Sequence, residues 1–308
     1  MIWVTVALLG YFFNAVAAIF DKYLLADRIK APAVYAFYVS LFSLFVLIFI
    51  PYGFGFFGWQ STAIAFLSGV IFLYALVALY TAIKRHEISR VAPLVGTVTS
   101  LTAFVVVILS GSLQNLPVFF ALILLIGGGL LISFDLPLRK GEHIPFLPLA
   151  TAGIGMGISL LLLKQGYEES NFVSGLIWSR LGMFAGGLSL LLVPVFRRQI
   201  LGQAKETMTE PKRATSTGMY FVLSKTCAGI GAFLIAYAIS LGSVSFVQAL
   251  SGMQYVFLLM LALPLSLRFP QIFGERLYFW DWFQKIGAIV LIGAGLWLSA
   301  TSGVELLL

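Results

Sequence analysis

Residues 62–83 read TAIAFLSGVIFLYALVALYTAI, a stretch without a single charged side chain. At about 1.5 Å of rise per residue, a helix of this length matches the hydrocarbon core of a bilayer, which about 20 apolar residues suffice to cross. The run is almost continuously apolar and lacks the alternation typical of a barrel strand. The stretch therefore predicts a membrane-spanning helix.

The rest of the chain has the same character. Of its 308 residues 60% are hydrophobic and only 10% are charged, whereas soluble domains carry about 25% charged residues. Apolar length and breaker residues predict ten spans, at 2–25, 32–51, 62–83, 90–110, 117–134, 147–165, 172–195, 217–239, 244–267 and 283–301. We therefore expect an all-α polytopic membrane protein with ten transmembrane helices and no separate soluble domain.

The basic residues predict the orientation of these spans. We call the membrane side that holds both termini side A and the opposite side side B. Sixteen of the nineteen Lys and Arg residues fall in or beside the side-B loops, which are 26–31, 84–89, 135–146, 196–216 and 268–282. By the positive-inside rule side B is cytoplasmic and both termini face outward. We expect an integral protein of the plasma membrane, whose net charge of +7 suits anionic lipid headgroups rather than nucleic acid.

Two pairs of segments show internal similarity. Residues 82–96 (AIKRHEISRVAPLVG) match 238–252 (AISLGSVSFVQALSG) at six positions, and residues 125–133 (LIGGGLLIS) match 291–299 (LIGAGLWLS) at six. The two matches occur in the same order and at equivalent spans. They predict a repeat of five helices.

An odd number of helices per repeat inverts the second copy in the membrane. The basic loops of residues 1–143 and those of residues 144–308 alternate in the opposite sense, as an antiparallel pair requires. The sequence thus predicts two five-helix repeats, 1–143 and an inverted 144–308. This architecture is typical of secondary transporters, which bind substrate near the bilayer midplane between the repeats.

Several short segments resemble a known family. They are Tyr80-Thr81-Ala82-Ile83 followed by Ser89-Arg90-Val91-Ala92-Pro93-Leu94, then Ala238 to Ser245 (AISLGSVS), and the turn Gly274-Glu275-Arg276-Leu277 before the last span. With the 5+5 layout, the chain resembles the EamA-type carriers of the drug/metabolite transporter superfamily over essentially its whole length. The first repeat departs from the family at Ser110–Asn115, where the Gly-Glu-Arg-Leu turn would stand. The resemblance implies cytoplasmic termini, opposite to the charge bias.

The sequence argues against enzymatic and cofactor chemistry. No span carries paired carboxylates, a Ser–His arrangement or a metal-binding motif, and no phosphate-binding loop is present. The single cysteine is Cys227, and the histidines, His86 and His143, fall in loops. The glycines of 153–157 and those at 182 and 186 are interpreted as helix-packing positions. We therefore expect no catalytic residue, no metal and no cofactor.

Two basic residues fall well inside predicted spans. Arg180 and Lys225 lie about eight residues from their helix starts, or about 12 Å deep, and we expect no acidic residue at that depth. Unpaired cations in a bilayer are costly and mark substrate pathways. We expect Arg180, with Lys225 as second contact, to bind a carboxylate or phosphate of an organic anion or zwitterion. The alternative is that the two side chains snorkel to the interface or donate structural hydrogen bonds to backbone carbonyls. Asp21 and Lys22 are interpreted as an interfacial pair ending the first span.

Neutral polar residues in the spans complete the candidate substrate site. They either line a cavity or hold helices together, and they are Asn14, Thr99, Gln248, Gln254 and Tyr255. Four tyrosines are candidate aromatic walls, with lipid-facing or packing roles as the alternative: Tyr35, Tyr38, Tyr74 and Tyr80. The loop 197–217 has apolar residues at helical spacing and is interpreted as an amphipathic surface helix.

These features predict a secondary transporter of small polar metabolites that works by alternating access. With no acidic residue near the midplane, we expect facilitated diffusion or exchange. The partners are a small-molecule substrate and membrane lipids, and the protein is a monomer or homodimer. The alternative is a non-transporting lipid-handling or scaffold membrane protein.

Overall fold

A computed structural model describes the chain at residues 2–24, 31–85, 88–109, 116–133, 146–209, 211–242 and 244–268 and at ten positions between 283 and 298. The remaining residues include His86, His143, the segment Ser110–Asn115, the turn Gly274–Leu277 and most of the tenth predicted span. The side chains of Lys22, Gln248 and Tyr255 also lie outside the described part.

The described chain is helical. Its α-helices are α1 (Ile2–Tyr23), α2 (Pro32–Phe42), α3 (Trp59–Arg85), α4 (Ile88–Leu109), α5 (Leu116–Ser133), α6 (Phe146–Glu169), α7 (Phe172–Ser189), α8 (Pro194–Thr209), α9 (Pro211–Leu241), α10 (Val244–Ala249) and α11 (Gly252–Arg268). A 3₁₀ segment, Ser43–Tyr52, continues α2, and a 3₁₀ turn, Leu190–Leu192, ends α7.

Five described helices are long and apolar enough to cross a membrane. They cover Ile2–Asp21, Pro32–Tyr52, Trp59–Lys84, Leu147–Glu169 and Thr215–Leu241. The bent pair Phe172–Leu190 and Pro194–Gln203 adds a sixth when counted as one span. Because a bilayer interior satisfies no backbone polar group, such apolar helices are the form in which a chain crosses it. The protein is an integral, multi-pass, helical membrane protein.

Two predicted spans differ from the structure. The end predicted for the span 172–195 is wrong, because α7 and its 3₁₀ turn stop at Leu192 and the chain bends by 96° before α8. Val193 is extended there and Pro194 begins the new helix, as expected of a residue before proline. The continuous helix predicted over 244–267 is also wrong, since a turn at Leu250 and Ser251 separates α10 from α11. A Ser–Gly pair is a common site of sharp kinks.

The predicted surface helix in 197–217 is confirmed in its first part, since α8 covers Pro194–Thr209. Ile200 is buried on the inner face of α8, where α8 contacts α2. Arg197 and Arg198 are exposed. The perpendicular helix thus presents cations outward and an apolar residue inward.

Glycines set the closest helix contacts. A Cβ at Gly153 would lie 2.5 Å from the Val98 Cβ, and one at Gly157 would lie 2.7 Å from the Thr102 Cβ. A Cβ at Gly69 of α3 would overlap the carbonyl oxygen of Ser179 of α7. Small residues let helices pack closely in lipid, where hydrophobicity does not hold them together. The interpretation of the glycines at 153–157, 182 and 186 as packing positions is confirmed.

The helices pack around α3 and α1. The most extensive contacts are those of α3 with α6, of α1 with α9 and of α3 with α7, followed by α4 with α6 and α1 with α11. The largest buried cluster includes Tyr11, Leu163, Ile239 and Leu250, and therefore joins α1, α6, α9 and the α10–α11 turn. The candidate site belongs to a second buried cluster, which includes Leu24, Tyr35 and Tyr80.

Candidate functional site

Helices α1 and α9 bring the principal polar cluster together. They run antiparallel, since Gly10 meets Ile235 while Asp21 meets Lys225. A Cβ on Gly10 would lie 2.8 Å from the Ile235 side chain, so the two backbones are in close contact. Asn14, predicted to line a cavity or join helices, packs against Gly231 in the same seam.

Lys225 is paired. Its Nζ lies 2.9 Å from both Oδ1 and Oδ2 of Asp21, and its side chain is only 4% exposed against 15% for Asp21. The expectation that no acidic residue lies level with Lys225 is wrong. The helix α9 begins at Pro211, ahead of its predicted start at 217, so counting residues along that helix did not give the level of Lys225 relative to α1.

Two hydroxyl groups complete the environment of the Asp21 carboxylate. The Tyr35 hydroxyl of α2 donates a 2.5 Å hydrogen bond to Oδ1, and the Ser224 hydroxyl of α9 donates to the same oxygen. Tyr35 is fully buried. We call Asp21, Tyr35, Ser224 and Lys225 the carboxylate cluster. It joins α1, α2 and α9 through charge-assisted hydrogen bonds, which are stronger than neutral ones.

Aromatic rings enclose the carboxylate cluster. The Lys225 Nζ lies 4.5 Å from the centroid of the Tyr35 ring and 5.7 Å from that of Phe221. Tyr80 of α3 packs edge-to-face on Tyr35 at 4.8 Å between ring centroids. Tyr35 and Tyr80, predicted as aromatic walls, thus lie at one site. The rings exclude water and hold the ammonium by cation–π attraction.

Arg180 of α7 has a different environment. Within the described residues no carboxylate lies at ion-pair distance from its guanidinium, whose Nη1 lies 3.6 Å from Met183 Sδ. Its Cζ is 6.0 Å from the centroid of the Phe72 ring. Its backbone carbonyl accepts a 3.4 Å hydrogen bond from Ser43 Oγ. In the part of the chain that the structure describes, Arg180 is therefore a half-buried cation among apolar groups.

Tyr167 of α6 presents a buried polar atom on the helix next to Arg180. Its side chain is 7% exposed and its hydroxyl has no hydrogen-bond partner among the described residues. Side chains lean towards the N-terminus of their helix, so Tyr167, near the end of α6, leans inward. The ring contacts Gly175 on α7, about one and a half turns before Arg180. Both groups can donate hydrogen bonds to an anion.

The remaining predicted site residues lie on different helices. Thr99 Oγ1 donates to the carbonyls of Val95, at 2.9 Å, and of Gly153, at 3.2 Å, so its hydroxyl joins α4 to α6. Gln254 lies in the first turn of α11, and its backbone N–H donates to Ser251 at 3.0 Å. The structure brings Lys225 together with Asp21. The other predicted residues that the structure describes have different neighbours and do not join this cluster; they are Asn14, Thr99, Arg180 and Gln254.

Ser224 was missed by the sequence analysis, and Tyr35 was named only as a wall. Ser224 could have been found from its position next to Lys225, and Asp21 from its being an acidic residue at the end of an apolar span. Among the described residues no group of three His, Cys, Asp or Glu side chains is arranged to hold a metal ion. The chemistry that the site offers is the binding of charged groups.

Comparison with known proteins extends to the fold. No protein-family model matches the chain, and no curated protein matches it. Twenty-three solved chains do match in structure. One of them, described simply as the crystal structure of a protein, superimposes with a TM-score of 0.63 at 12% sequence identity, and the match covers 97% of each chain. At this identity the likeness concerns the fold alone, over nearly the whole length.

Proposed function

We propose that the protein is a secondary transporter of small organic anions or zwitterions that works by alternating access. In this proposal ten helices form two inverted repeats, residues 1–143 and 144–308, and the chain is a carrier of the EamA type in the drug/metabolite transporter superfamily. The observation that carries the proposal is the reciprocal packing of the described helices.

Reciprocal packing follows from a two-fold relation between repeats. The first predicted span would correspond to the sixth, the third to the eighth and the fourth to the ninth. The contact of α1 with α9 is then the counterpart of the contact of α6 with α3, and these are two of the most extensive contacts in the chain. The contacts of α4 with α6 and of α11 with α1 form a second such pair. A helical protein without internal repeats has no reason to pack this way.

One pair of contacts departs from this symmetry. Helices α3 and α7 meet through glycines with their backbones touching. The counterpart contact, between α2 and α9, is bridged by Phe221, which packs against Tyr35, Tyr38 and Phe42 at 5.6–6.2 Å between ring centroids. In an alternating-access carrier the two repeats differ in conformation at any moment, and this difference is what exchanges between states.

The broken helix supports the same proposal. Discontinuous helices form the substrate and ion sites of many transporters. The turn between α10 and α11 is buried at Leu250, and the carbonyl of Val247 accepts a 2.7 Å hydrogen bond from the Tyr11 hydroxyl of α1. Non-helical backbone at membrane depth is tolerated where protein or a cavity surrounds it.

Arg180 supports the substrate class. A guanidinium remains charged, and even translocon-derived scales assign about 2.5–3.5 kcal/mol to one at a helix centre. A carboxylate or phosphate of the substrate supplies the counter-charge and accepts bidentate hydrogen bonds. Lys225 already has its counter-charge in Asp21, so Arg180 is the primary anion contact in this conformation.

The test is solute uptake by purified protein in liposomes, with a panel of anionic, zwitterionic and cationic solutes. We expect uptake of one or more anions or zwitterions. The Arg180→Gln variant should raise KM for such a substrate at least tenfold, whereas Arg197→Gln, on the exposed face of α8, should leave KM unchanged. Failure of every solute to move contradicts transport and favours a lipid-handling or scaffold role. Equal KM values for both variants contradict the assignment of Arg180.

A further inference from the structure

Three donors surround the Asp21 carboxylate, and none of them lies on the helix that carries it. The Tyr35 hydroxyl comes from α2, and the Ser224 hydroxyl and the Lys225 ammonium come from α9. Two hydroxyls and one ammonium converging on a carboxylate form the kind of set that recognises a carboxylate of any origin. We propose that Tyr35, Ser224 and Lys225 form a carboxylate-binding site that Asp21 occupies in this conformation and that a substrate carboxylate occupies when α1 moves away.

Two of the three donors, on Lys225 and Tyr35, have contacts that do not involve Asp21. The Lys225 ammonium lies over the Tyr35 ring at 4.5 Å and is also 5.7 Å from the Phe221 ring, so cation–π attraction keeps it beside the tyrosine. Tyr35 is itself fixed by its edge-to-face contact with Tyr80. An ion pair that served only to join two helices would need one cation and one anion. Here the ammonium of Lys225 and the hydroxyl of Tyr35 are brought together from two helices by a contact of their own.

The geometry gives Asp21 a specific role. As the resident carboxylate it competes with the substrate, and its displacement removes the ion pair and the hydrogen bonds by which Asp21 joins this end of α1 to α2 and α9. Binding of a carboxylate would thereby be coupled to the contact between α1 and α9, which belong to different predicted repeats. The substrate role rests on the proposed transport function, whereas the carboxylate-binding site itself does not.

The experiment is chemical rescue. The Asp21→Ala variant removes the resident carboxylate and leaves space for a small one, and acetate and formate are the probes. We expect acetate to raise the melting temperature of purified Asp21→Ala in detergent saturably, since a ligand that binds the folded state stabilises it by mass action. Sodium chloride at equal ionic strength should not do so. Wild-type protein, whose site is occupied, should show no acetate-specific shift.

Two matched variants serve as controls. Glu168, whose side chain is 47% exposed, forms a 3.3 Å ion pair with Lys164 of the same helix, so Glu168→Ala removes a carboxylate without opening a site that has two hydroxyl donors beside the ammonium. The double variant Asp21→Ala/Lys225→Gln keeps the space but lacks the ammonium. Neither should respond to acetate. A response of equal size in either control overturns the proposal.

The proposal can also be tested if Asp21→Ala folds poorly. Recovery of folded variant in acetate but not in chloride supports the site. The Asp21→Ser variant, which leaves a smaller space, is measured in the same way, and the absence of an acetate response in both variants overturns the proposal. Acetate binding requires no transport, so an acetate response of Asp21→Ala together with wild-type protein that moves no solute would refute the transporter proposal and leave the site standing.

Discussion

Removing the Lys225 ammonium gives the most direct energetic test of the carboxylate cluster. In Lys225→Met the Asp21 carboxylate, 15% exposed, loses its cation and keeps the hydroxyls of Tyr35 and Ser224. Breaking a buried pair by removing one partner costs about 3–5 kcal/mol. Two donors to the carboxylate remain, and a hydrogen bond to a charged group contributes about 1.5–3 kcal/mol. We therefore expect Lys225→Met to lower the free energy of unfolding by about 3 kcal/mol, the low end of the range for a broken buried pair.

A double-mutant cycle then isolates the interaction. The double variant Asp21→Asn/Lys225→Met removes both charges. We expect it to lower the free energy of unfolding by about 2 kcal/mol less than the sum of the two single variants. The assay is reversible unfolding in mixed micelles with increasing SDS. Lys164→Met is the control, because Lys164 pairs i,i+4 with Glu168, whose side chain is 47% exposed, and an i,i+4 helix pair with an exposed partner is worth about 0.3–0.5 kcal/mol. A loss for Lys225→Met no larger than that of the control, or additivity in the cycle, would refute the reasoning.

Two further predictions concern packing and orientation. A Cβ on Gly69 would overlap the carbonyl of Ser179, so Gly69→Ala should lower the free energy of unfolding by about 1–3 kcal/mol through overpacking. The control is Gly229→Ala, which has nothing within 4 Å of the added Cβ and should leave the free energy of unfolding unchanged or raise it by up to about 1 kcal/mol. Equal unfolding free energies of the two variants would contradict the α3–α7 contact. For orientation, in a Cys227→Ser background a cysteine at Ser112 should react with an impermeant thiol reagent on intact cells and one at Ser216 should not. The reverse labelling would place both termini in the cytoplasm.

The membrane-spanning character was predictable because it depends on composition and run length alone. A stretch such as 62–83 carries no charge, and in lipid it must form a helix because its backbone polar groups can pair only with one another. The glycines of 153–157 were predictable as packing positions for the same local reason. They lie inside an apolar span, where a phosphate-binding loop is not expected and small residues allow close helix packing. The helix α8 followed from the spacing of its apolar residues.

The partner of Lys225 was not predictable in the same way. Asp21 lies 204 residues away in sequence, and its level relative to α9 depends on how two antiparallel helices slide past one another. That register is set by contacts such as Gly10 against Ile235, which no local pattern encodes. The break after α10 was hidden because Ser251 and Gly252 lie within an otherwise apolar run, where tertiary contacts decide between a kink and a straight helix.

Counterflow in liposomes tests the central proposal, alternating access, most directly. Proteoliposomes are preloaded with an unlabelled anion that the uptake panel has identified, and a trace of the labelled anion is added outside. A carrier that exposes one site alternately exchanges internal for external substrate, so we predict transient accumulation of label above equilibrium, and its reduction in Arg180→Gln. Label that only equilibrates at the same rate with and without preloading would contradict an alternating-access carrier.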